Sequence, residues 1–342
     1  MEVIRTDVIV IGAGPCGLFA VFELGLLDLK CHLIDALDRP GGQCTEFYPE
    51  KPIYDIPGMP SCTGQQLTDN LMAQIAPFDP VFHLGEIASS LEKTAEGHWH
   101  LATDRGTAFE APVIVIAAGG GSFMPKKLAL SNAAEFEGKA LFYSVRRMEQ
   151  FRGQRLVIAG GGDSALDWTL NLQPLAASTT LTHRRLEFRA APDSVNKALA
   201  MVEDGSLAFE PGVISALHGQ GGALEGVSVK AEDGAERRLD CDALLVFYGL
   251  TMKLGPIADF GLNLHQNRIV VDVEKFETSV PGIFAIGDIN FYPGKLKLIL
   301  SGFHEAALMA QQAKRVAHPG QKVLFQYTTT STNLQKKLAT AQ

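Results

Sequence analysis

The residues Asp7-Val8-Ile9-Val10-Ile11 run without a break into Gly12-Ala13-Gly14-Pro15-Cys16-Gly17. A short β-branched run favours a strand, and a strand that enters G-x-G-x-x-G is the opening of a dinucleotide-binding unit. Gly12 makes the tight turn, Gly14 lets the backbone approach a pyrophosphate, and Gly17 lets the next helix pack against the sheet. That helix, expected from about Gly17 to Leu27, points its N–H groups and macrodipole at the phosphates. A second strand, Lys30 to Ile34, ends in Asp35, which can accept the hydroxyls of an adenine ribose. Strand, glycines, helix, strand and acid in this order favour dinucleotide binding over a structural glycine turn.

A second unit repeats the pattern. Leu156 to Ala159 is an apolar strand that meets Gly160-Gly161-Gly162-Asp163-Ser164-Ala165, with Gly160, Gly162 and Ala165 at the G-x-G-x-x-A positions and a helix through Leu172. Asp163 and Ser164 belong to the same cofactor turn. Its next strand, Thr179 to Thr182, ends in His183-Arg184-Arg185, with Arg189 a turn later. A carboxylate there would repel a 2′-phosphate, whereas guanidinium groups bind one bidentately. The second site therefore reads as one for NADPH rather than NADH, against the alternative of a solvated charge cluster.

The rest of the chain supplies sheets, loops and hinges. Gly41-Gly42-Gln43 lets a loop pass close to a cofactor, with Gln43 offering an amide. Tyr48 and Tyr54 either lie against a flat ring or pack in a loop core. A helix is expected from Gly64 to Pro77 and an antiparallel β-unit from Val81 to Pro112, in which His98 and His100 share a solvated face with no carboxylate in register. Val113 to Ala118 is a buried strand ending in the hinge Gly119-Gly120-Gly121. Leu207 to Leu245 reads as a further β-unit with a hairpin at Gly219 to Gly222, and Gly249 as a second hinge. Gly282-Ile283-Phe284-Ala285-Ile286-Gly287-Asp288 delivers an aspartate to a glycine turn, suited to a cofactor ribitol. Ser301-Gly302 is expected to open a helix from Phe303 to Arg315, whose amino end is a source of positive potential for a reduced flavin.

At 342 residues and 46% hydrophobic content the chain can bury two domain cores. The net charge of −8 argues against a general nucleic-acid binder. No signal segment and no bilayer-length apolar run is evident, so a cytoplasmic protein without a membrane anchor is expected. The five cysteines, Cys16, Cys31, Cys44, Cys62 and Cys241, form no C-x-x-C, and neither a disulfide framework nor a metal site is expected.

Two dinucleotide units, the second inserted in the first, together with Gly282 to Asp288, resemble the two-domain flavoprotein disulfide reductases, in particular the low-molecular-weight thioredoxin reductases. Those enzymes carry a cysteine pair before the second fingerprint, where this chain has Ala140-Leu141-Phe142-Tyr143-Ser144-Val145-Arg146. Related enzymes place the pair after the Gly-Gly loop, where Cys44 would need a partner at Pro49. The closer resemblance is to the thioredoxin-reductase-like ferredoxin–NADP reductases, carried by Tyr48-Pro49-Glu50-Lys51, Ile53-Tyr54-Asp55-Ile56-Pro57-Gly58, Tyr292-Pro293-Gly294-Lys295-Leu296-Lys297-Leu298-Ile299 and Tyr327-Thr328-Thr329. His304 departs from the glycine common in that group.

The resemblance implies an α/β fold of two Rossmann-like dinucleotide-binding domains, each three-layer β/β/α, with the NADPH domain inserted in the FAD domain. The divisions are residues 1–118 and 249–330 for FAD, 119–248 for NADPH, and 331–342 for a tail. It places FAD contacts at Gly14, Cys16, Asp35, Gln43, Tyr48, Ala88, Phe123, Asp288 and Thr329. Tyr48 or Tyr54 would cover one flavin face and Tyr327, followed by Thr328, the other. The implied activity is electron exchange between NADPH and ferredoxin or flavodoxin by a homodimer. Lys126, Lys127, Arg146, Arg147, Lys295 and Lys297 are candidates for docking the acidic partner. A quinone or ferric-chelate reductase is the nearest alternative, and a flavin-based redox sensor a more distant one.

Overall fold

The computed structural model describes all residues except 1–2, 322, 324–326 and 341–342; the side chains of 122–124, 250–252, 333 and 338–340 also lie outside the described residues. The chain divides into two compact units, Met1–Phe123 with Met252–Gln342, and Met124–Thr251. It passes between them within the strands Ser122–Pro125 and Leu250–Lys253, which pair as a two-stranded sheet. These boundaries lie a few residues beyond the expected divisions at 118/119 and 248/249.

The first unit is built on a parallel sheet in the order Ile283–Ala285, Val113–Ile116, Val8–Ile11, Cys31–Asp35, Val81–Leu84. Val8–Ile11 and Val113–Ile116 are buried at every residue. Both faces of a parallel sheet are covered, so its central strands are apolar throughout rather than alternating. The helices Pro15–Leu26, Gly64–Ile75 and Ile299–Ala317 pack together in one layer. A second sheet, in the order Ile4–Arg5, Ala108–Ala111, Trp99–Thr103, Ala88–Lys93, brings Phe109 edge-on to His32 and His83 of the parallel sheet.

Three expectations change here. Val81–Leu84 does not open the antiparallel unit; it pairs in parallel with Cys31–Asp35. The helix Gly64–Ile75, started by a reciprocal cap between Thr63 and Gln66, is the crossover that makes this possible. His98 does have a carboxylate partner, since its Nδ1 lies 3.2 Å from Glu110 Oε1. The last long helix begins at Ile299, so Ser301 and Gly302 lie inside its first turn. The tail is also structured: Thr332–Thr340 is a helix, and Lys337 bonds Asp28 at 2.8 Å and sits over the Phe78 ring.

The second unit repeats the parallel sheet in the order Leu141–Phe142, Ala243–Val246, Arg155–Ala159, Ser178–His183, Ala208–Pro211. The expected β-unit at 207–245 is thus divided. Its outer segments join the parallel sheet, and only Val213–Gln220, Ala223–Lys230 and Glu236–Asp240 form an antiparallel one. Apolar runs of four residues read alike in either setting, because pairing direction is decided by the connections.

The glycines of the first turn differ in what surrounds them. A Cβ on Gly17 would lie 1.9 Å from the Gly12 carbonyl oxygen, and one on Gly12, where φ is +107°, 2.5 Å from that of Ala117. A Cβ on Gly14 meets nothing nearer than Gly42 Cα at 3.9 Å. Gly17→Ala is therefore expected to destabilise the protein by about 2 kcal/mol or more, and Gly14→Ala by about 1 kcal/mol or less. Denaturant unfolding measures both; equal losses would contradict this packing.

Candidate nucleotide sites

At the first turn the Asp35 carboxylate closes the loop on itself. Oδ2 accepts the Ala13 N–H at 2.6 Å and Oδ1 the Leu37 N–H at 2.8 Å. Burial raises the Asp35 pKa, and these two hydrogen bonds oppose the rise. Each oxygen keeps a lone pair, so the same carboxylate can still take a ribose hydroxyl. The Gly41 N–H donates to the Ala13 carbonyl at 2.8 Å, which brings Gly42 against Gly14 and sets Gln43 at the start of the short helix Gln43–Phe47. The Glu86 N–H donates to the Asp35 carbonyl at 3.0 Å, and the chain then leads to buried Ala88 at the head of its strand. No side chain caps the helix Pro15–Leu26, so its leading N–H groups face the turn.

Tyr48 is half-buried, and its hydroxyl accepts from Cys44 Sγ at 3.7 Å. Burial pushes its phenol well above the usual range, with Cys44, Asp288 and Cys16 adding to the effect. Those groups lie near enough to Tyr48 to act on its phenol. Cys16 Sγ is enclosed by two further glycines: a Cβ on Gly302 would come within 2.1 Å of it, and one on Gly287 within 3.0 Å. Gly302 is thus a packing residue for the fingerprint rather than a helix opener.

Sequence reasoning missed Glu305. Wholly buried, it accepts the Gly287 N–H at 2.7 Å, Asn290 Nδ2 at 2.8 Å, the Tyr292 hydroxyl at 2.9 Å, and Lys295 Nζ. The only cue was an acid in the amphipathic run 299–317, where charged residues ordinarily face solvent. Lys295, whose side chain is 1% exposed, is consumed by this pair and is not a docking residue.

The second turn follows the first in outline. A Cβ on Gly160 would lie 2.6 Å from the Phe247 carbonyl oxygen, and one on Gly161 2.3 Å from the His183 ring, whereas one on Gly162 meets only the Arg189 carbonyl oxygen at 3.7 Å. Asp163 Oδ1 accepts the Ala191 N–H at 2.8 Å, and the Arg189 N–H donates to the Gly161 carbonyl at 2.7 Å. Arg189 is thereby tied to the glycine turn, with Ser164 and Ala165 in the helix Asp163–Leu172. Arg184, Arg185 and Arg189 are exposed, and all three lower the His183 pKa, beneath the larger effect of burial.

Tyr54 is 71% exposed, which excludes packing in a loop core, and Tyr327 is 69% exposed. Thr328 and Thr329 lie in an exposed single turn, Thr328–Thr330. The Phe123 side chain lies outside the described residues. All five cysteines are free, and burial holds the thiols up, Cys16 to about 12, Cys44 to about 11 and Cys241 to about 12. Protonated thiols are poor nucleophiles, so the structure gives no support to dithiol chemistry. Among the described residues no cluster suits a metal ion, and no helix is long and apolar enough to cross a membrane.

Residues 6–313 match the family model described as pyridine nucleotide-disulphide oxidoreductase. The chain belongs to that family. A protein of Parvibaculum lavamentivorans named ferredoxin–NADP reductase is 63% identical over 99% of both chains, and one of Mesorhizobium japonicum with the same name is 63% identical over 98% of both. Among solved structures, thioredoxin reductase of Lactococcus lactis is similar with a TM-score of 0.77 at 24% identity, covering 91% of this chain and 99% of its own. That of T. acidophilum gives 0.76 at 22%, covering 91% and 98%. These neighbours share the fold: two dinucleotide-binding units of α/β type.

The contact at Cys16 is testable without a ligand. Gly302→Ala is expected to cost about 1–3 kcal/mol by overpacking, and Cys16→Ala in the same chain to restore much of it. Unfolding midpoints of the two single variants and the double would show additive losses if the residues did not touch.

Proposed function

We propose that the protein is an FAD-dependent ferredoxin (or flavodoxin)–NADP reductase, with FAD in the first unit and NADPH in the second. The observation that carries the reading is the pair of glycine turns. The first is closed at Gly12 and Gly17 and open at Gly14, and the second is closed at Gly160 and Gly161 and open at Gly162, which is the fit expected of a pyrophosphate cradle. One turn faces a carboxylate and the other three arginines, so the two cradles select different adenosines.

Bound FAD supplies the conversion between a two-electron and two one-electron transfers. The chain's own residues bind and orient. In this reading Gly12, Gly14, Cys16 and Gly17 seat the FAD pyrophosphate with the helix amino end, and Asp35 takes the ribose. Asp288 takes the ribityl chain, and Ala88, Phe123, Gln43 and Thr329 complete the enclosure. Tyr48 covers one flavin face. Tyr327, with Thr328 beside it, would cover the other and would move aside to admit a nicotinamide, and exposed Tyr54 would stand at the rim. Gly160, Gly162, Asp163, Ser164 and Ala165 seat NADPH, and Arg184, Arg185 and Arg189 hold its 2′-phosphate. Held protonated, the cysteines stay out of the electron path. Exposed Lys126, Lys127, Arg146, Arg147 and Lys297 offer charge to an acidic partner, although Lys127 already bonds Glu137 at 2.6 Å. We take the working protein to be a homodimer, as the resemblance to the thioredoxin-reductase-like ferredoxin–NADP reductases implies, and to work in the cytoplasm.

The test is anaerobic mixing with NADPH or NADH, followed by ferredoxin. Rapid flavin bleaching by NADPH and one-electron reoxidation by ferredoxin are expected. Bleaching without reoxidation would move the acceptor to a quinone or ferric chelate. Replacing Arg184 and Arg185 together by Ala should cut the preference for NADPH over NADH by about tenfold or more, the worth of a charge-assisted hydrogen bond. An unchanged preference would place the 2′-phosphate elsewhere.

A further inference from the structure

All four donors to Glu305 come from one stretch, Gly287 to Lys295. Oε2 takes the Gly287 N–H and Asn290 Nδ2; Oε1 takes the Tyr292 hydroxyl and Lys295 Nζ. The helix itself has no need of an acid there, since Ala306, Met309, Ala310 and Ala313 fill the same buried face. An apolar side chain at this place would avoid the cost of desolvating two charges. What the carboxylate adds is therefore geometry: it pins both ends of the segment that carries Asp288. The same groups act on Asp288 directly. Burial raises the Asp288 pKa, Lys295 and Lys297 lower it, and Glu305 raises it.

We propose that Glu305 is the positioning residue of the flavin site, fixing the Gly287 peptide so that the adjacent Asp288 carboxylate is aimed at the ribityl chain, with Lys295 as its countercharge. The inference rests on the placement of FAD in the first unit. Glu305 does not touch the flavin in this scheme; it acts through Asp288. Loss of the carboxylate leaves the Gly287 N–H and the Lys295 ammonium buried together without their acceptor. A glutamine there brings a donor amide to a place surrounded by donors.

Action through Asp288 is separable from a merely structural role by a double-mutant cycle on FAD affinity. The FAD dissociation constant would be measured by diluting the holoenzyme and following the rise of free-flavin fluorescence. The wild type, Glu305→Gln, Asp288→Asn and the double variant form the cycle. Glu305→Gln is expected to weaken FAD binding at least about tenfold, and the double variant to be no more than about twofold weaker than Asp288→Asn alone. Fold-changes that multiply, or a Glu305→Gln protein within about twofold of wild type, would overturn the proposal. Should Glu305→Gln lack a cooperative thermal transition, Lys295→Met takes its place in the cycle, with the same pair of outcomes. A protein that holds FAD but fails to reduce ferredoxin would remove the acceptor reading and leave this one standing. Independent effects in the cycle would do the reverse.

Discussion

The arrangement of the first unit depends on how closely the helix Pro15–Leu26 can approach the sheet. At Gly17 the space a methyl group would occupy is already filled by the Gly12 carbonyl, and at Gly12 by Ala117. These are backbone atoms of the residues that directly follow two adjacent central strands, held by the ladder between Val8–Ile11 and Val113–Ile116. A side chain at either glycine would lift the helix and its leading N–H groups away from the turn. Neighbouring features follow from that approach. Cys16 fits only because Gly287 and Gly302 leave room for its sulfur, and the loop at Gly41 and Gly42 can close on Ala13 and Gly14.

Charge is distributed to match. In the first unit the strand after the turn ends in a carboxylate that serves two purposes, holding the loop through Ala13 and Leu37 and offering lone pairs outward. In the second unit the equivalent strand ends in His183, whose ring lies on Gly161, and the arginines beyond it stand in solvent. The three exposed cations keep this corner positive, and burial and cations together favour a neutral imidazole. A chain with a net charge of −8 thus concentrates positive charge at the end of the strand that follows its second glycine turn.

The buried thiols bear on the chemistry of the family to which the chain belongs. Disulfide exchange needs a thiolate, and burial makes one costly at Cys16, Cys31, Cys44 and Cys241. Cys16 and Cys44 instead serve as small packing groups around Tyr48 and the Asp288 turn. The fold is thereby shared with the thioredoxin reductases, while the cysteines have been given structural work.

Much of this was legible in the residues alone. Glycine fingerprints, apolar strands and the acid or arginines after them are contiguous, so each carries its meaning within about thirty residues. The sequence by itself determined two glycine-turn units of α/β type, their order, and the opposite charge at the ends of the strands that follow the turns. Only the tertiary structure decided that Val81–Leu84 belongs to the parallel sheet, that Gly302 makes room for Cys16, and that Lys295 is buried on Glu305 rather than exposed to a partner. The reason is that each of these depends on atoms brought together from distant segments. A lysine in a loop or a glutamate in an amphipathic helix reads as solvated until its neighbours are in place.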